Sequence, residues 1–180
     1  MKADFHLGLV VGKFAPLHLG HEWLIDQAAS QCDKLLVLSY TFPEIDRCST
    51  EKRAVWLRMR CPEHETLAID NAWLQRECAL QGTDYRPLPL NSAEDVTHQS
   101  YLAWLLKDVL HRRPDAFFNN EAYGEPCAQL LSQLLDHKVV SVQPDRMRGC
   151  APISASEIRG SELAQRQWLS AKVLANFLSR

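Results

Sequence analysis

Two histidines and a lysine crowd the stretch "GLVVGKFAPLHLGHEWLIDQAA", residues 8–29, where an apolar run gives way to a loop and then to a helical pattern. These residue types suit phosphate chemistry. An imidazole donates a hydrogen bond to a phosphoryl oxygen, more strongly when protonated. His18 and His21 flank Gly20, which lets the backbone come close to a ligand. His21 opens the helical pattern, and the free N–H groups and positive dipole end of a helix start favour an anion. Lys13 adds a mobile point charge. Together they can clamp a phosphate during transfer; the alternative is that one histidine caps the helix and the other is a surface loop residue. Two familiar phosphate loops are excluded. "GLVVGKF" has three residues between its glycines where a P-loop has four, and Phe14 stands where Ser or Thr would meet magnesium. Gly8 and Gly12 also lack the spacing of a dinucleotide GxGxxG.

A second cluster lies in "PDRMRGCAPISASEIRG", residues 144–160. Ser154 and Glu157 have the spacing of a capping box, which makes Ser154 a helix N-cap. Ser156 and Arg159 then share one face of that helix. Hydroxyls and a guanidinium near a helix start again suit phosphate, and an ordinary capped helix with a solvated arginine is the alternative.

The elements that must position these clusters alternate between strand and helix. Apolar runs at 7–11, 34–40, 65–70, 115–120 and 138–143 read as strands, and the continuous runs are those of strands buried on both faces. Helical patterns follow at 21–32, at 50–61 with Pro62 as a stop, at about 94–111, at 124–136, near 154–160, and as one last helix from about Glu162 to Phe177. Residues 71–92, with Gly82, Pro87 and Pro89, read as a long irregular excursion. The alternation predicts an α/β fold with a five-stranded parallel sheet covered by helices on both faces. Both clusters follow strands, so both can face the carboxyl edge of the sheet, where ligands of open sheets bind.

Composition narrows the class. The 180 residues, 46% hydrophobic and 23% charged, suit one globular domain over 1–180, with a sheet core at 1–143 and the second phosphate motif and C-terminal helix at 144–180. A net charge of −2 gives no bulk electrostatic case for nucleic acid or an anionic membrane. No apolar run nears the roughly 18 residues of a membrane span. The N-terminus shows no cleavage pattern, so a cytoplasmic protein is expected. Six cysteines without a CxxC pair are expected to be free thiols, and no ligand pair has zinc spacing.

"GKFAPLHLGH" resembles the GxFxPxHxGH signature of the nucleotidylyltransferases, and "ISASEIR" resembles their ISxTxxR signature with Ser156 in place of Thr. Order and separation fit as well. The chain is similar in particular to the nicotinamide mononucleotide (NMN) adenylyltransferase domain of NadR-type proteins. The shared features are Lys13 after the glycine, a "YG" in "NNEAYGEP", and "PDR" before the second signature. Asn120 departs from the Ser that relatives often carry before the Glu. The sequence has no Walker A motif, so the fused ribosylnicotinamide kinase is not expected, and with no room before the first motif an N-terminal DNA-binding module is not expected either.

The resemblance implies a Rossmann-like fold with strand order 3-2-1-4-5. It also implies in-line attack by a mononucleotide 5′-phosphate on the α-phosphorus of ATP, without a covalent intermediate. His18, His21, Lys13 and Arg159 would be catalytic. Gly12, Phe14, Gly20, Glu121, Ser154 and Ser156 would bind ATP. Arg53, Tyr101 and Trp104 would meet the mononucleotide, although Tyr101 and Trp104 also read as helix-core packing and Arg53 as a surface charge. Mg2+ would be held mainly by the ATP phosphates, with no protein metal site. His6, His64, His98, His111 and His137 have no motif context and read as surface or capping residues. A phosphopantetheine or cytidylyl transferase, or a nucleotide-binding sensor without turnover, remains open as an alternative. So does a homo-oligomer.

Overall fold

Each apolar run becomes a parallel strand, and the side chains of the central strands alternate between two cores. The computed structural model describes residues 3–144 and 152–179. Its strands are β1 (Phe5–Val11), β2 (Cys32–Tyr40), β3 (Glu65–Ile69), β4 (Ala116–Phe118) and β5 (Val140–Val142). They pair in the order β3-β2-β1-β4-β5, all parallel, the order that the family resemblance implies. The period of two along a strand sends Leu9, Leu36, Leu38 and Phe117 to one face and Val10, Leu35, Val37 and Phe118 to the other. Burial on both faces is why the runs are continuous rather than alternating.

Helices cover the two faces. α1 (Leu19–Gln31) and α2 (Thr50–Arg60) pack with the second core, and α3 (Asn71–Gln81), α4 (Asp95–Trp104) and α5 (Gly124–Leu134) with the first. α4 runs on through a π-helical turn, Leu105–Val109. α6 (Ala155–Gly160), α7 (Glu162–Trp168) and α8 (Ala171–Leu178) close the second face through Ile158, Ala164, Val173 and Phe177.

Three expectations are corrected. The stretch expected to be irregular from residue 71 begins as α3, capped by the Asp70 carboxylate, which accepts from Trp73 N–H at 2.6 Å, and stopped by Gly82 at φ +66°. The last helix is two helices. Leu169, at φ −103° and ψ 136°, breaks the ladder, and α8 then lays Phe177 against Trp56 of α2 at 6.5 Å between ring centres. The first helix starts at Leu19, with His18 rather than His21 at its threshold. Arg146, Arg148 and Cys150 lie outside the described residues. The thiols of Cys32, Cys48, Cys61, Cys78 and Cys127 are free and buried. Among the described residues no helix is long and apolar enough to cross a membrane.

Candidate active site

β1, the central strand, delivers the first loop to the carboxyl edge. Gly12 N–H continues the ladder to Leu38 C=O at 3.1 Å, and the chain then turns away. Phe14 makes that turn at φ +46°, in the left-handed region that an aromatic residue rarely enters. Its ring packs on Gly12 so closely that a Cβ there would lie 3.0 Å from ring carbons. His18 caps α1 through Nδ1, which accepts from Gly20 N–H at 3.2 Å. A nitrogen that accepts carries no hydrogen, so the neutral ring holds its proton on Nε2, as a donor. The His21 ring stacks on His18 at 3.7 Å between centres and meets Phe14 edge-on at 5.0 Å.

The second motif comes back to this loop. Ser154 and Glu157 form the expected capping box: Ser154 Oγ accepts from Glu157 N–H, and the Glu157 carboxylate accepts from Ser154 N–H and Oγ–H, both at 2.7 Å. The bonds from the Ser154 hydroxyl and N–H hold the Glu157 carboxyl below its usual range. Arg159 donates through Nη2 to Ser156 Oγ at 3.0 Å and through Nη1 to the Ala15 carbonyl of the first loop. The two motifs are thereby joined across 144 positions of sequence. They share a cleft of about 400 Å³, whose walls include Lys13, His18, Gly20, His21, Glu121, Ser154, Ser156 and Arg159. Gly12 and Phe14 line it too. Among the described residues Glu121 is the one carboxylate on this wall, and no cluster of three or more His, Cys, Asp or Glu side chains suited to a metal occurs.

A second cleft, of about 250 Å³, opens on the other face of the same strand ends. Its floor is apolar, with Val11, Leu102, Phe117 and Cys127. Tyr40 and His98 form one wall, their rings nearly parallel (20°) and 6.0 Å apart, and Asn91, Asp95, Gln99 and Tyr123 supply polar groups. Burial, and then the Lys13 charge, pulls the His98 pKa below its ordinary value. Burial likewise raises the phenols of Tyr40 and Tyr123, so both remain hydrogen-bond donors at neutral pH. Lys13, Gly12, Val11 and Tyr123 line both clefts. Lys13 Nζ donates to Asn91 C=O at 3.3 Å and so stands at the seam.

The residues expected to meet a mononucleotide are elsewhere. Arg53 is fully buried and lines neither cleft. Tyr101 and Trp104 pack against each other in the first core, 5.2 Å apart, with the Arg86 guanidinium 5.1 Å from the Trp104 ring centre. These three are therefore corrected to interior residues. On α4 it is His98, Gln99 and Leu102 that face a cleft; Tyr101 and Trp104 are rotated off that face. His98, read from sequence as a surface or capping residue, was missed. Its one signal was a polar pair, His98-Gln99, set one turn before the apolar Leu102, and Asp95, Thr97 and Ser100 on the same helix obscure it.

No protein-family model matches the chain. It is 24% identical over 174 residues, 96% of its length, to the trifunctional NAD biosynthesis/regulator protein NadR of Escherichia coli (strain K12). It spans 40% of that relative's length. Two crystal structures of NadR, one in complex with NAD and AMP-PNP and one in complex with NR, superpose with TM-scores of 0.62 at 18% and 19% identity. They cover 99% of this chain and 48% and 47% of theirs. The chain is thus similar to NadR in sequence and shares the fold of both NadR structures. It also shares the fold of a candidate nicotinate-nucleotide adenylyltransferase from Vibrio parahaemolyticus, at TM-score 0.51 and 12% identity over 97% of this chain and 99% of that one. The similarity to NadR covers both cleft-forming motifs and the whole sheet between them.

Proposed function

We propose that the chain transfers the adenylyl group of ATP to NMN, giving NAD and pyrophosphate. One observation carries this reading: the two phosphate motifs meet through Arg159 on one cleft, and that cleft shares Lys13 with a second cleft lined by aromatic and amide side chains. Two ligands bound there would bring their phosphates together at the Lys13 seam.

The chemistry follows from that arrangement. An oxygen of the mononucleotide phosphate bonds to the α-phosphorus of ATP, and the bond from that phosphorus to the bridging oxygen of pyrophosphate breaks. The nucleophile is already an anion, so positioning and charge stabilisation carry the step. His18, through the hydrogen on Nε2, and His21 stabilise charge on the α-phosphoryl oxygens. Lys13 neutralises charge between the two phosphates. Arg159 and Ser156 hold the β- and γ-phosphates as they leave, with Ser154 keeping their helix start in shape. Tyr40, His98, Gln99 and Tyr123 receive the acceptor base. Glu121 meets ATP, and Mg2+, held mainly by the ATP phosphates, would supply further charge neutralisation when bound.

The test is turnover. The protein is mixed with ATP, Mg2+ and, in turn, NMN, nicotinate mononucleotide, phosphopantetheine, or CTP with glycerol phosphate, and pyrophosphate is followed. Release dependent on NMN, with NAD as the second product, is the expected result. Release with another acceptor alone, or with none, overturns the reading.

A further inference from the structure

Behind the Lys13 seam runs a buried polar chain that no ligand-facing role explains. Arg53, on α2, has no exposed surface. Its Nη1 donates to Ser39 Oγ at 2.6 Å, its Nη2 to Thr50 Oγ1 at 2.9 Å, and its Nε to Cys48 C=O at 3.2 Å. Thr50 Oγ1 in turn donates to the Glu44 carboxylate at 2.6 Å. Ser39, near the end of β2, is equally buried and spends its one hydroxyl hydrogen on Lys13 C=O at 3.0 Å. The line thus runs from Glu44 through Thr50, Arg53 and Ser39 to the main chain of Lys13.

Two features of this line call for an explanation. A guanidinium buried without a carboxylate directly on it is a costly way to fill space, and an apolar side chain of similar volume would serve stability as well or better. Burial indeed pulls the Arg53 pKa below its ordinary value. The carbonyl that the line ends on belongs to the peptide between Lys13 and Phe14, and Phe14 sits at φ +46°. A non-glycine residue in that region persists only where its surroundings hold it there. The next carbonyl but one, that of Ala15, is gripped from the cleft side by Arg159. Two arginines therefore hold the turn at 13–15, one from inside the fold and one from the cleft.

We propose that Arg53 and Ser39 are positioning residues: through the Lys13 carbonyl they fix the Phe14 turn and so keep the Lys13 ammonium at the seam between the two clefts. For its effect on turnover the inference rests on the adenylyl-transfer reading, but its structural clause does not.

Two variants separate positioning from plain stability. Ser39→Ala removes the donor to Lys13. Arg53→Met removes the buried charge at similar volume, and serves where Ser39→Ala does not fold. Hydrogen exchange of the ligand-free protein, read by mass spectrometry, is expected to rise several-fold in the peptide spanning 12–15 and to stay unchanged in β3 and β4. Turnover is expected to fall about tenfold, and to fall no further when the same substitution is added to Lys13→Ala, because residues acting through one another are not additive. Exchange that rises evenly across the sheet, or not at all at 12–15, overturns the proposal. So does a loss of turnover that multiplies undiminished onto Lys13→Ala. Should the wild-type protein turn over no acceptor, the adenylyl-transfer reading fails while the exchange result still decides the positioning of Lys13.

Discussion

His21 offers the cleanest test at the scale of a single side chain. It sits in the first turn of α1, packed between the His18 and Phe14 rings on the wall of the phosphate cleft. If it stabilises charge that builds on the α-phosphate, His21→Ala lowers kcat about a hundred- to a thousandfold, or roughly 3–4 kcal/mol. ATP affinity by calorimetry and the melting temperature should change far less. His18→Ala should behave differently, because His18 also caps the helix. Losing the acceptor for Gly20 N–H removes about 1 kcal/mol of stability in addition, so this variant melts earlier as well as turning over slowly. Normal turnover of His21→Ala removes the catalytic assignment, and equal melting losses in the two variants remove the distinction between them. The pair itself was legible from sequence, because loop residues beside a helix start are set by local order. Which ring turns back onto the chain was not legible, since that depends on the stacking of the two rings and on Phe14.

At the scale of the element, α4 shows what a periodicity can and cannot say. The helix was legible as an element, but its faces were not, because apolar residues occur on more than one of them. The consequence is testable. The Tyr101 hydroxyl is buried without a hydrogen-bond partner among the described residues, so Tyr101→Phe should hold or raise the melting temperature and leave the KM for the mononucleotide unchanged. His98→Ala should raise that KM and leave the KM for ATP alone. A higher KM in Tyr101→Phe would return the aromatic pair to the ligand. α3 escaped detection because only Leu74 and Cys78 bury fully among its scattered apolar residues, although its caps, Asp70 and Gly82, were both in view. At the opposite edge of the sheet, Asp115 ties β1 to the start of β4. It accepts from Leu7 N–H at 2.8 Å, His6 N–H at 3.0 Å and His137 Nε2 at 3.1 Å. Burial opposes its ionisation, but these hydrogen bonds prevail and hold its pKa below the ordinary value. A carboxylate with a depressed folded pKa stabilises the fold above the unfolded value, near 4, and loses that contribution as pH falls through the folded one. Between pH 5 and pH 3 the urea midpoint of the wild type should therefore fall further than that of Asp115→Asn; parallel curves would remove Asp115 from the acid sensitivity of the fold.

For the whole molecule, the sheet divides two cores and carries one cleft over each, with Lys13 common to both. The parallel strands were legible from their apolar runs, whereas their order came from the family resemblance, because burial on both faces does not say which strands are neighbours. The second cleft was not legible, since it forms from β2, α4 and α5, distant in sequence, with no motif to announce it. Two clefts on opposite faces predict separable ligand stabilisation. A ligand that binds only the folded state at a hundredfold over its Kd adds about 2.7 kcal/mol, which for a chain of this size raises the melting temperature by about 5–10 °C. ATP with Mg2+ and NMN, each offered alone, should both produce such a shift in the wild type. Arg159→Ala should abolish the ATP shift and keep that of NMN, because Arg159 lines only the phosphate cleft. His98→Ala should do the reverse. Lys13→Ala should reduce both, because its ammonium would face the phosphates of both ligands. Differential scanning calorimetry of the three variants with each ligand reads all of these outcomes. If Arg159→Ala and His98→Ala weaken the two shifts alike, the clefts act as a single site and the two-substrate arrangement is wrong.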